Sequence, residues 1–215
     1  MAAELRLWAI GVDEFRQCFA APEALKETLV QISDSLQPAE AKAQSRNLFS
    51  KFGPLMRHPE SGAVIRPLIP NRHDAEAMMT GRFIDSDRLG ACWVLTQAWL
   101  DHLALSHAVL DLTPAEMDTL EFDLVRAGVP TQLGIRHLWR HSLDIPLRPT
   151  QAMTIGYMAH DTVLQLTEQW TSALADLEEA TVQFATSVLE FTSHFPQYAE
   201  TRQAPVDLIA WWASR

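Results

Sequence analysis

Apolar positions along the chain follow two different spacings. The ends carry short, dense runs, Leu5-Arg6-Leu7-Trp8-Ala9-Ile10-Gly11 and Val206-Asp207-Leu208-Ile209-Ala210-Trp211-Trp212, whereas most of the sequence between them repeats every three or four residues. Dense runs of about four to eight residues bounded by Gly or Pro fit strands, since a helix needs about ten or more. Gly11 closes the first run and Pro205 precedes the second. In the second, Leu208, Ala210 and Trp212 alternate with Asp207, Ile209 and Trp211, so both faces are largely apolar, as in a strand covered on both sides. Fully burying one large apolar side chain is worth roughly 1.5–3 kcal/mol, so a terminal segment with two Trp docks and does not fray. The two end segments are therefore expected to pair within one sheet.

The intervening pattern predicts helices. Val12 to Phe15 opens the first, continued by Cys18 and Phe19; Pro22 opens the second, with Leu25, Leu29, Ile32 and Leu36 as its stripe. Residues Pro54–Pro70 hold four prolines and Gly62, which predicts a loop carrying Arg57, His58, Glu60 and Arg66. A short helix over Asp74–Met79 ends at Gly81, and the central core helix runs from about Arg88 to Ser106. Thr113-Pro114-Ala115-Glu116 has the form of a capping box, in which Thr caps and Glu reaches back. Ile135–Ser142 is read as helical, and residues 143–154, with Pro146 and Pro149, as a linker. From Val163 to Phe195 the three-to-four spacing is unbroken; 33 residues is long for one helix in a small domain, so a hairpin bent near Asp176 is favoured over a single helix. Pro196 is expected to kink or end this run. The whole is read as an α+β fold: a predominantly helical single domain over residues 1–215, with a small mixed sheet containing the N- and C-terminal strands.

Composition narrows the function classes. The formal net charge of −10 argues against nucleic acid and anionic membranes, which attract clustered Lys and Arg. The charge is uneven: bases outnumber acids from Lys42 to Arg88, while Pro149 to Thr201 contains no Lys or Arg. An acidic helical face is thus expected, either as solvated surface or as a docking face for a partner with a basic surface. Cys18 and Cys92, the two cysteines, are isolated in apolar patterns and make neither a disulfide framework nor a metal cluster. With no leader-like start and no run approaching the roughly 20 apolar residues of a membrane span, a cytoplasmic protein is expected.

Candidate chemistry centres on His137-Leu138-Trp139-Arg140-His141. Two His four apart on a helix share a face and can grip zinc, with Asp144 or His160 as further ligands; Leu138 stands where a zinc protease carries its Glu. Arg136, Arg140 and Arg148 flank the pair and offer planar donor forks to a carboxylate or phosphate. Asp101-His102 and His160-Asp161 are neighbours in sequence and point in different directions on a helix, so neither forms a dyad; His160-Asp161 reads as a helix start. Gly-Xaa-Ser-Xaa-Gly and Gly-rich phosphate loops are absent, and no cofactor is called for.

Three stretches in order, Leu7–Phe15, Ile145-Pro146 followed by Ile155–Met158, and the closing helix before Val206–Trp212, resemble the YfbM-like group of small bacterial proteins. The likeness covers about half the chain. It implies a compact α+β fold whose first and last strands share a sheet, and carries no catalytic residues; Pro54–Pro70 and Thr113–His141 look like additions to it. The function expected is that of a non-enzymatic cytoplasmic protein-binding or regulatory protein, monomer or homodimer. The alternative is a metal-assisted hydrolase or small-anion binder using the His137/His141 region.

Overall fold

The computed structural model describes residues 3–36, 69–150 and 153–214. In chain order the elements are β1 (Ala3–Ile10), α1 (Val12–Arg16), α2 (Glu23–Ser35), α3 (Arg72–Met79), α4 (Leu89–Leu103), β2 (Ser106–Asp111), α5 (Pro114–Arg126), β3 (Met153–Met158), α6 (His160–Ala173), α7 (Glu179–Thr192), α8 (Phe195–Arg202) and β4 (Asp207–Ser214). They form two compact units, Met1–Gln17 with Leu100–Arg215, and Cys18–Trp99. Apart from its last two residues, the Pro54–Pro70 loop lies outside the described residues.

The first unit is built on a four-stranded sheet in the order β2-β1-β4-β3. The end segments pair as their patterns predict: Leu5 faces Trp212, Arg6 faces Trp211 and Trp8 faces Ile209. The rings of Trp8 and Trp211 lie 6.2 Å apart on one face. The α+β class holds, but every pairing is antiparallel, so the sheet is not mixed. Long helical connections allow either sense. Here the chain re-enters beside the end of β1, where the Leu105 amide donates to the Ala9 carbonyl at 3.0 Å, and so runs back along it.

Alternation in the strands decides what each face buries. Leu5, Leu7 and Ala9, with Leu208 and Ala210, turn into a core shared with Met117, Leu120 and Leu124 of α5, Val163, Leu166 and Trp170 of α6, and Ala185, Val188 and Phe191 of α7. Trp8, Ile10 and Ile209 are also buried, on the opposite face. Two buried indoles have clear acceptors: Trp8 donates to Asp101 at 2.7 Å and Trp170 to the Leu133 carbonyl at 2.8 Å.

The last third is a hairpin. A 3-10 turn over Leu174–Asp176 ends α6, and Leu177 and Glu178 are extended before α7 begins. Pro196 sits in the first turn of α8, where its missing amide costs nothing, so the break at 193–194 is followed by a new helix. One carboxylate links this hairpin to the chain's start. Asp207, the first residue of β4, accepts from the Val12 amide of α1 at 2.9 Å and from the His160 amide of α6 at 3.1 Å.

Three sequence expectations need correction. Ser106 belongs to β2 and α4 stops at Leu103. Met153 and Thr154, placed in a linker, begin β3, although residues 143–150 do carry no helix or strand. Ile135–Ser142 is not a helix: a single 3-10 turn over Ile135–His137 gives way to a strap that crosses β3 at Gly156. A Cβ at Gly156 would meet the carbonyl oxygens of Trp139 and His141, which is why the strap can lie so close.

In the second unit α2, α3 and α4 pack around Leu29, Met78, Leu95 and Trp99. The Trp99 indole donates to the Leu29 carbonyl at 3.3 Å, and Phe19 meets its ring edge-on. Asp74 is buried and closes a capping box with Asn71; Arg88 donates to it through Nε at 3.0 Å.

Candidate functional site

The residues singled out by sequence lie along one strap but do not form one site. Arg136 is exposed and paired with Asp118. His137 is half-buried, and its Nδ1 is buried with no hydrogen-bond partner. Arg140 and Arg148 are exposed. His141 is exposed, and its ring lies 5.4 Å from that of Tyr157. Arg16 covers the Tyr157 ring at 5.6 Å, donates to the Leu143 carbonyl at 2.8 Å and pairs with Asp13 and Asp144. Without a helix, His137 and His141 lose the shared face on which a metal grip depended. The suggested third ligands are otherwise engaged: Asp144 holds Arg16, and the His160 ring meets the Val206 carbonyl at 3.0 Å. No group of three His, Cys, Asp or Glu side chains among the described residues is placed to hold a metal ion.

A cleft of about 430 Å³ lies elsewhere in the first unit, between the end of β2, the start of α5 and the start of α7. Its floor is apolar: Leu112 and Leu120 are buried, and Leu110 and Phe184 are half-buried against the core. Its walls carry Asp111, Glu116, Thr119, Gln183 and Ser187, and none of the residues that line it is basic. Sequence sets this geometry locally. Thr113 accepts from the Glu116 amide, and the Glu116 carboxylate accepts from the Thr113 amide at 2.8 Å and hydroxyl at 2.7 Å. That box turns the chain sharply from β2 into α5 and holds the first turn of α5 open along the cleft. The Thr113 hydroxyl first, then its amide, keep the Glu116 carboxyl below the usual glutamate range.

The back of the cleft is locked by a polar network. Asp123 is buried; it accepts from the Thr181 hydroxyl at 2.7 Å and pairs with Arg126 at 3.2 Å. Arg126 also reaches Glu178 at 2.9 Å. These bonds tie α5 to α7 and hold Arg126 on Asp123 and Glu178. Phe122 is 68 % exposed, and its spacing places it one turn beyond Thr119 on the same helix face. An exposed Phe beside an apolar-floored cleft is the pattern of a binding surface.

The sequence pattern misses this cleft because its two lips, 110–120 and 180–187, are far apart in the chain. The capping box is legible; that α7 lies across from it is not. No helix among the described residues is long and apolar enough to cross a membrane. No family model, no curated protein and no solved structure matches the chain.

Proposed function

We propose that this is a non-enzymatic, cytoplasmic protein-binding or regulatory protein that holds a basic, amphipathic segment of a partner protein in the β2–α5–α7 cleft. The observation that carries this reading is the pairing of an apolar floor with walls whose only charges, Asp111 and Glu116, are acidic. A partner Leu, Phe or Met side chain fits the floor formed by Leu110, Leu120 and Phe184, and flanking Lys or Arg side chains meet the carboxylates. The formal net charge of −10 adds long-range attraction for such a segment. The cleft volume falls in the range of about 300–1,000 Å³ typical of pockets that take a compact group. Cys18 and Cys92, both buried, suit a reducing compartment.

A displayed library of random peptides selected against the full chain tests this. Enriched peptides should combine Lys or Arg with a large apolar residue and bind more weakly as salt rises. The double substitution Asp111→Lys with Gln183→Lys, at two exposed positions, should lower their affinity at least ten-fold. Enrichment of peptides without basic residues, or equal binding to the double variant, refutes the reading.

A further inference from the structure

The sheet has two edges, and the chain treats them differently. At β3 the strap lies alongside, where the Tyr157 amide donates to the His141 carbonyl at 3.0 Å. At β2 nothing among the described residues does the same. The Leu112 amide donates to the Ala3 carbonyl at 3.1 Å, which fixes the phase of the ladder between β1 and β2. Ser106, Ala108 and Leu110 therefore turn their backbone groups to β1, and His107, Val109 and Asp111 turn theirs outward. Those outward N–H and C=O groups meet no partner among the described residues. The strand pairs without a break over Ser106–Asp111 and holds no Pro, Lys or bulge, the devices that usually blunt an exposed edge. Val109, at its middle, is 49 % exposed.

The sequence of this edge is complementary to itself. Outward backbone groups must meet outward ones, and core-facing side chains must stay on the core side. An antiparallel copy of β2 can thus slide only in steps of two residues. Placed with Val109 opposite Val109, His107 faces Asp111 at both ends, and Ala108 faces Leu110 on the core side. Each outward residue then exchanges both of its backbone hydrogen bonds with the residue opposite. The imidazole of each copy meets the carboxylate of the other, a favourable cross-strand pair made twice. Asp111 already stands opposite Glu4 of β1, so a donor on its free side offsets like charge. A slide of two residues either way sets Val109 against His107 or against Asp111. It breaks both imidazole–carboxylate pairs and leaves one outward residue facing beyond the strand.

We infer that β2 pairs with β2 of a second copy about a two-fold axis at Val109, joining two four-stranded sheets into one. The contact is short, and a formal charge of −10 on each copy opposes it at long range. Screening over about 8 Å at physiological salt limits that repulsion. The dimer is reversible and belongs at the weak end of specific interfaces. This pairing is independent of what the cleft holds, since Val109 is not among the residues that line it.

Sedimentation equilibrium of the full chain over a micromolar to millimolar series is the test. The wild type should climb from the 24.2 kDa of one chain toward twice that mass. Val109→Lys and Val109→Glu each set like charges across the axis and should each lower dimer affinity at least about ten-fold. Because the position is exposed, both variants should melt like the wild type. Mixed in equal amounts, they should recover a dimer, seen by native mass spectrometry as one Val109→Lys chain with one Val109→Glu chain. Recovery on mixing separates lost pairing from lost folding. Val109→Cys should form an intermolecular disulfide on mild oxidation faster than His107→Cys, because only the former meets its own copy at about 5.5 Å between Cα atoms. The inference is overturned if the wild type keeps the mass of one chain throughout, if both charged variants dimerise as well as the wild type, if their mixture stays monomeric, or if His107→Cys crosslinks as fast as Val109→Cys.

Discussion

Asp207 offers the sharpest test of how the first unit is held together. Its two carboxylate oxygens serve two helix starts, Val12 at 2.9 Å and His160 at 3.1 Å, from the first residue of the last strand. The free amides of a helix's first turn need acceptors, and an anion there also meets the positive end of the helix dipole. One such cap typically contributes about 1–2 kcal/mol. Asp207→Ala removes both and should cost about 2–4 kcal/mol, a large share of the roughly 5–15 kcal/mol that holds a domain folded. Asp207→Asn keeps one acceptor oxygen and should cost about half as much. Urea unfolding followed by Trp fluorescence and by far-ultraviolet circular dichroism measures both, as a lowered midpoint at unchanged slope. A loss below about 0.5 kcal/mol for Asp207→Ala would refute the reasoning, because the two amides would then be satisfied equally well by solvent.

Other perturbations follow from the same geometry. Gly156→Ala sets a Cβ against the His141 carbonyl oxygen at 2.6 Å and against that of Trp139; both are backbone atoms, so the cost should exceed about 2 kcal/mol. At Gly134 the three atoms nearest an added Cβ all belong to the flexible Glu121 carboxylate, so Gly134→Ala should cost clearly less in the same urea unfolding. Glu116 has a lowered carboxyl pKa, so its contribution is present above the ordinary glutamate value of about 4.3 and is lost as pH falls through the lower folded value. The stability gap between wild type and Glu116→Gln should therefore be full near about pH 6 and close on acidification below about pH 4, read from urea midpoints at each pH. Burial first, with Asp74 adding, pushes the Cys92 thiol up to about 12. A thiol-specific disulfide reagent at pH near about 8 should leave Cys92 untouched until the chain is unfolded, whereas rapid reaction of the folded protein would contradict that burial.

Much of the frame is legible in the sequence because burial there is one-sided and strong. The two Trp-bearing runs at the ends pair in register, the Thr113–Glu116 box forms as its spacing demands, and the Val163–Phe195 periodicity folds back near Asp176. What is not legible has physical reasons. β2 is an edge strand with His107, Val109 and Asp111 facing solvent, so its alternation is too weak to separate it from the end of α4. β3 hides behind two prolines. Gly156 within Ile155-Gly156-Tyr157 is the available clue, since Gly inside a strand often marks another backbone lying close. The His137/His141 spacing looks helical, yet that segment spends its residues crossing β3. The cleft depends on tertiary pairing of α5 with α7 through Asp123 and Thr181, which no local pattern announces.

Amide hydrogen exchange with a selected basic peptide bound is the most direct measurement of the central claim. Protection should rise in Leu110–Leu120 and Ala180–Ser187 and fade together with binding as salt is added. Protection confined to the 136–148 strap, or no change in the cleft while the peptide remains bound, would contradict the account.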